Sequence, residues 1–388
     1  MSLQFIFFGN TSFSSALQRE HALAKTLAQK GFQVVFIEGM PSIASNVRAR
    51  IRQYFSKESI DKLPAKGENS IKNLNVLIPP TVPTFFRSSW TPRYDAWLFR
   101  RWFVEKFKNQ NWNETVVMVM FPYWWYWFVD KEICPAKIII YDICDALEMP
   151  SRNAVALQRM KHAEQLLIHD ANAVTFSAYE MAGSISHQYP FVKQYCLPNA
   201  VTETFIQNIE LQKRQTAKLI IGYVGFLDPR WADRELLLKV AKKFSHCSLV
   251  VRSSMDKSFA DRLKENTNVT IIGFQEYSAL SHLVSSFTIG IIPFLNNEIT
   301  AVINPLKLYE YCAAGIPIVA MKTPELNHYN NIIYLAETHD EFLCCIEKAL
   351  MENDEGKRNQ RIEFAKKNTW RQRVDTLLQI INDDVLND

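Results

Sequence analysis

Short apolar runs alternate with longer amphipathic stretches along most of the 388-residue chain. The run FIFFG at 5–9 fits a buried strand. Residues 18–31 read as a helix whose stripe is Leu17, Leu23, Ala24, Leu27 and Ala28, with Gly31 as its stop. VVFIE at 34–38 follows at once. Strand, helix and strand at this spacing form a βαβ unit and hence a parallel sheet. Further strands are predicted at 116–121, 137–143, 173–177 and 194–198, with helical stretches between most of them. After a polar stretch near 202–217 the pattern restarts. Strands are predicted at 219–226, 247–253, 268–274, 287–294, 316–321 and 332–336, a helix at 234–244 and a last helix at 369–385. The chain thus reads as α/β, two Rossmann-like parallel-sheet domains facing a cleft. The first is 1–205 and the second 206–368, with the helix 369–388 packing back on the first. In open α/β sheets ligands bind beyond the carboxyl ends of the strands, so sites are expected in the βα loops.

The stretch NPLKLYEYCAAGIPIVA, 304–320, is the most informative. Asn304 reads as an N-cap, Pro305 suits the first helical position with Leu306 after it, and Gly315–Pro317 stops the helix. That puts Lys307 at the third position, where an acidic residue would complement the helix dipole. A rule broken at a helix start often marks a site. Free N–H groups plus a lysine make an anion site that suits a diphosphate. Glu310, one turn deeper, is placed to accept hydrogen bonds from ribose hydroxyls. The bland alternative is a surface Lys–Glu pair.

The stretch resembles the donor-nucleotide motif of GT-B glycosyltransferases, P-x-K-x-x-E-x-x-A-x-G-x-P-V/I-V, at Pro305, Lys307, Glu310, Ala313, Gly315, Pro317, Ile318 and Val319. The resemblance implies a GT-B fold, with Lys307 on the diphosphate and Glu310 on the ribose of a nucleotide sugar. It also implies that no metal is needed for donor binding and that the domains close over the donor. Many retaining members carry E-x7-E. Eight residues before Glu310 stands Val302, so the first glutamate is missing unless Glu298 substitutes for it. Residues 220–240 resemble the first strand, glycine loop and helix of the family's C-terminal domain, with Gly225 letting backbone approach the phosphate or the sugar. Residues 268–294 resemble the next segment, with Gly273 and Phe274 covering the base.

In IIIYDICDALEMP, 138–150, a strand ends near Asp142 and Asp145 falls in the loop beyond it. A general base must reach the acceptor hydroxyl, and this is where a cleft-facing carboxylate belongs. Tyr141 and Asp145 match the Y-x-x-x-D of the xanthan-type glucuronosyltransferases, and the stretch also resembles the same loop of teichuronic-acid-type glycosyltransferases. Asp145 is the expected base. Asp142 is the alternative, and a helix cap at Asp145 is the bland one. In the first βα loop, which lacks G-x-G-x-x-G, Gly9, Asn10 and Arg19 are candidates to touch the acceptor, with Arg19 otherwise a solvated helix residue. Tyr123, within FPYWWYWFV, is a candidate to stack on a sugar.

Charge is unevenly shared. Residues 1–200 hold 22 Lys+Arg and 16 Asp+Glu, against 22 and 24 in the remainder, so a basic first half meets an overall charge of only +4. That excludes little but makes nucleic acid a poor partner. Residues 81–110 carry six Lys/Arg, two acids and nine aromatics, which suits either an anionic membrane surface or a helix packed on the core. Seven cysteines without C-x-x-C pairs or zinc spacing suit a reducing cytosol. The start has no signal-peptide pattern, and the 14-residue run at 116–129 is too short to span a bilayer.

The expectation is therefore a glycosyltransferase moving a sugar from a nucleoside-diphosphate donor, UDP-sugar favoured, to a saccharide acceptor, lipid-linked, in polysaccharide biosynthesis. Inversion is favoured, no metal or cofactor is expected, and the location is cytoplasmic, at the inner face of the membrane. The alternatives are a nucleotide-sugar epimerase and a non-catalytic sugar-nucleotide or glycan-binding protein.

Overall fold

The computed structural model describes residues 3–13, 17–39, 71–79, 91–125, 128–144, 154–212, 218–273 and 277–385. The chain divides into two compact units. One holds Met1–Ser177, Ala182–Leu197 and Val374–Asp388, the other Ala178–Met181 and Pro198–Arg373.

The first unit is built on a seven-stranded sheet of order β3-β2-β1-β4-β5-β6-β7. Its strands are β1 Gln4–Phe8, β2 Gln33–Ile37, β3 Leu74–Leu77, β4 Thr115–Val119, β5 Ile138–Ile143, β6 Ala173–Phe176 and β7 Lys193–Cys196. Every pairing is parallel. Strands β1, β4 and β5 are buried almost throughout, which is why they read as unbroken apolar runs. Strand β3, LNVL at the sheet edge, is only four residues long and half-exposed, and it is not among the predicted strands. The helix Arg19–Gln29 follows β1. The helix Trp370–Ile380 carries the chain into the last segment of this unit, where Val374, Leu377 and Ile381 are buried and Asp375 pairs with Lys30 at 2.7 Å.

The second unit holds a six-stranded parallel sheet of order β10-β9-β8-β11-β12-β13. Its strands are β8 Ile220–Val224, β9 Ser248–Arg252, β10 Val269–Ile272, β11 Ile289–Ile292, β12 Ile318–Met321 and β13 Tyr334–Ala336. The polar stretch before it contains the helix Glu203–Glu210, capped by the Thr202 side chain on the Phe205 N–H. The strand order reverses between β1 and β4 in one sheet and between β8 and β11 in the other. Those switch points open a crevice at the carboxyl edge of each sheet.

The helix Thr91–Lys106 settles half of the question about 81–110. Phe99 and Phe103 are fully buried, and Phe99 meets the rings of Trp124 and Phe128 at 5.4 Å. Trp97 and Val104 on the outer face stay about half exposed. Residues 81–90 lie outside the described residues.

Candidate functional site

The helix Leu306–Ala313 seats itself on the second sheet through a gap at Gly290, while the space over its neighbour Gly222 is taken by the Phe287 ring. Gly222 of β8 and Gly290 of β11 are register partners. A Cβ on Gly290 would come within 2.4 Å of the Tyr311 ring. The missing side chain lets that ring lie against the strand, and its hydroxyl then accepts the Val224 N–H at 2.9 Å. The donor helix is thus tied to the end of β8, beside the switch point.

The cap differs from the expectation. Pro305, extended, is the N-cap, Leu306 is the first helical residue, and no side chain caps the helix. Lys307 is therefore the second helical residue rather than the third. Asn304 is turned inward. It donates to Glu325 Oε1 at 2.8 Å and Tyr329 Oη at 2.6 Å, and accepts from Tyr309 Oη at 3.0 Å and the Asn199 N–H at 3.1 Å. The Leu308 N–H turns back to the Pro305 carbonyl at 3.1 Å, and the N–H groups of Leu306 and Lys307 are left for a ligand or water. Gly315, at φ 64°, takes the left-handed conformation that ends the helix.

Lys307 is half-buried. Its Nζ lies 4.7 Å from the Tyr223 ring centroid and 5.1 Å from that of Phe294, at the ends of β8 and β11. Burial lowers its pKa to about 8, partly offset by Glu310. Gly225 has φ 140°, and a Cβ there would stand 2.8 Å from Lys307 Nζ. Glu310 is 5% exposed. Burial raises its pKa to about 7, against the lowering effect of Arg252, Lys307 and a hydrogen bond from Tyr277. A surface Lys–Glu pair is excluded. Arg252, Tyr277, Tyr223 and Phe294 were missed in the sequence. The one signal was an arginine ending the otherwise apolar run SLVVR.

Gly273 follows β10, exposed, with open space where a Cβ would be. Phe274 lies outside the described residues. Glu298 is exposed and begins a one-turn helix capped by Asn297.

In the first unit the loop after β1 is held from beneath. Glu20, buried, accepts the Asn10 N–H at 2.6 Å, the Thr11 N–H at 2.8 Å and the Thr11 hydroxyl at 2.5 Å. Trp124 Nε1 donates to the Gly9 carbonyl at 2.7 Å. Arg19 is not a solvated helix residue. It is 3% exposed and grips Asp142 with two hydrogen bonds, Nε–Oδ2 2.7 Å and Nη2–Oδ1 2.9 Å. Thr175 also donates to Asp142, which is fully buried. Asp142 is therefore a structural anion and cannot meet an acceptor hydroxyl. Asp145 lies outside the described residues. Tyr123 is 8% exposed, with its ring 4.9 Å from that of Trp124, so most of its surface is spent on packing.

No His, Cys, Asp and Glu group among the described residues could hold a metal ion. Nor, among them, is any helix long and apolar enough to cross a membrane.

The architecture has many solved counterparts. Sucrose-phosphate synthase from Thermosynechococcus elongatus superposes with a TM-score of 0.68, 12% identity, and 97% of this chain and 98% of that one covered. Anabaena HepE, solved with UDP and glucose, gives 0.64, 12% identity and coverages of 97% and 99%. The chain has the GT-B fold. WaaG, a glycosyltransferase involved in lipopolysaccharide biosynthesis, shares that fold at a TM-score of 0.61 and 13% identity, over 98% of this chain and 100% of that one. No family model matches the sequence. A curated relative, TuaH of Bacillus subtilis, is named as a teichuronic acid biosynthesis glycosyltransferase and is 24% identical over 253 residues. The match takes in 60% of this chain and 64% of the relative, so the chain spans just under two thirds of the relative's length. Within the GT-B fold, the helix Leu306–Ala313 belongs to the second unit, and Arg19 and Asp142 to the first.

Proposed function

We propose that this protein is a glycosyltransferase that moves a sugar from a nucleoside-diphosphate donor to a saccharide acceptor in polysaccharide biosynthesis. The observation that carries the reading is the half-buried ammonium of Lys307, held at an uncapped helix start over the β8–β11 switch point, with Gly225 leaving room beside it. A cation and free N–H groups at one crevice are what a diphosphate leaving group needs, and they stabilise charge as it develops. Glu310 beside them suits a ribose. The donor is a UDP-sugar, in keeping with the HepE complex.

The reaction is direct displacement with inversion. Asp145 takes the proton of the acceptor hydroxyl, the hydroxyl oxygen forms the new bond to the anomeric carbon, and the nucleoside diphosphate leaves with its electron pair onto Lys307 and the helix start. No metal is required, because protein donors meet the diphosphate charge. The acceptor is a lipid-linked saccharide. The outer face of helix Thr91–Lys106, with Trp97, Arg101 and Val104 in one stripe and Lys108 just beyond, suits the surface of an anionic membrane from the cytoplasmic side.

A donor panel tests this. Calorimetry with uridine, guanosine, adenosine and thymidine diphosphates should find tight binding of UDP, weakened by about 100-fold or more in Lys307→Ala. Binding of none, or equal binding by the variant, would sink the reading. Asp145→Asn should then keep UDP affinity and lose transfer, whereas a non-catalytic binding protein has no transfer to lose.

A further inference from the structure

The turn after β8 carries a ring that the packing of the second unit does not use. Phe226 is 52% exposed and stands two residues beyond the end of β8, on the sheet edge where Lys307 lies. Leu219, also exposed, precedes the same strand at its opposite, amino end. The chain is tied down on both sides of Phe226. The Gly225 N–H donates to the Arg252 carbonyl at 3.1 Å. Leu227 is fully buried, and its carbonyl accepts Arg234 Nε at 2.9 Å. The Phe226 carbonyl itself accepts twice, from Tyr223 Oη at 2.9 Å and from Trp231 Nε1 at 3.1 Å. Both of its lone pairs are then engaged, so the peptide that carries the ring is fixed while half of the ring stays in solvent.

Tyr223 joins this turn to the candidate diphosphate site. The Lys307 ammonium sits over its ring, with Nζ 4.7 Å from the centroid, and its hydroxyl, at the far end of the same side chain, holds Phe226. Gly225 stands between the two. A Cβ there would be 2.8 Å from Lys307 Nζ and 3.2 Å from Tyr223 Oη. A ring on the very next residue is therefore a neighbour of any diphosphate held on Lys307. Arg230, further along the turn, is engaged by Asp228 through Nε and Nη2 at 2.9 Å each. What the turn adds beside the lysine is an apolar face.

A nucleotide sugar has its diphosphate in the middle. With that group on Lys307, the nucleoside runs toward Glu310, one helical turn further along and buried. The sugar, bonded to the outer phosphate, takes the opposite, solvent-facing side. Pyranose rings present C–H groups on their faces, and an aromatic ring on a fixed peptide covers them at little cost in entropy. We infer that Phe226 is a specificity-determining residue of the donor site, its ring a platform for the transferred sugar and not for the nucleotide. The inference rests on the nucleotide-sugar reading above.

Calorimetry with UDP, UDP-glucose, UDP-galactose, UDP-N-acetylglucosamine and UDP-glucuronic acid, on wild type, Phe226→Ala and Phe226→Tyr, tests it. The UDP-sugar that wild type binds most tightly should bind about 5- to 10-fold more weakly to Phe226→Ala, with the affinity for UDP unchanged. Phe226→Tyr keeps the ring and should keep both affinities. Melting temperature should hold in each variant, because the ring is half exposed, and Phe226→Leu, which also removes the aromatic face, serves if the alanine variant does not fold. An alanine or leucine variant with wild-type affinity for the UDP-sugar overturns the inference and leaves the donor reading intact. So does one that loses UDP affinity to the same extent, since the ring would then serve the nucleotide or the shape of the turn. Wild-type protein that binds UDP but none of the four nucleotide sugars also overturns it. Wild-type protein that binds no UDP overturns both.

Discussion

The ammonium of Lys307 occupies the space that a side chain on residue 225 would need. The separation is 2.8 Å from the Cβ position to Nζ, and Gly225 holds φ 140°. Gly225→Ala should therefore act twice. The backbone strain should cost about 1–3 kcal/mol of stability, and the displaced lysine should weaken nucleotide binding. Melting temperature and UDP affinity, measured on the same preparation, check both. An alanine variant with unchanged affinity would mean that Lys307 does not need this corner.

Nucleotide affinity should be bell-shaped in pH. Binding calls for Lys307 charged and Glu310 ionised. Lys307 in the empty site titrates near 8, so affinity falls as pH rises through that value. Glu310 titrates near 7, so affinity falls as pH drops below it. The optimum lies between the two. Above pH 8 binding should take up a proton, visible as a calorimetric enthalpy that changes with the ionisation enthalpy of the buffer.

Lys307→Met should trade function for stability. A half-buried cation held below its usual pKa destabilises the fold, and a methionine of similar length can pack on Tyr223 and Phe294. Gain in unfolding free energy on the order of 1 kcal/mol with loss of UDP binding is the expected pair of results, read by chemical denaturation and calorimetry. A variant less stable than wild type would show that the lysine packs better than it repels.

In the first domain the Arg19–Asp142 pair predicts a different outcome. Asp142→Ala leaves a buried guanidinium without its carboxylate and should cost about 3–5 kcal/mol. The double variant Arg19→Met/Asp142→Leu should recover most of that loss. If the single variant is as stable as wild type, the pair is not buried in solution.

Trp97 and Arg101 carry the membrane reading. Co-sedimentation with vesicles of mixed anionic and neutral lipids should fall severalfold in Trp97→Ser/Arg101→Glu, and the melting temperature should hold, since this face does not pack on the core. Equal sedimentation of wild type with purely neutral vesicles would remove the electrostatic half of the argument.

What the sequence determined about this protein was local. Apolar runs of the right length gave β1, β4, β5 and the second sheet, because strands buried on both faces leave no alternation to misread. Pro305, Gly315 and Pro317 bounded the donor helix, because caps and stops act within a few residues, and Lys307 stood out against that frame. Even there the cap moved by one residue, since Asn304 found better partners in Glu325 and Tyr329 than in the helix it precedes. What only the tertiary structure decided was which distant groups meet. Arg19 and Asp142 are 123 residues apart, and Val224 and Tyr311 are 87 apart. Val224 and Tyr311 come together only because β11, which precedes the donor helix, lies beside β8. The charge state of a buried carboxyl group is set by such neighbours and by the water it has lost, and neither is written in the residues adjoining it.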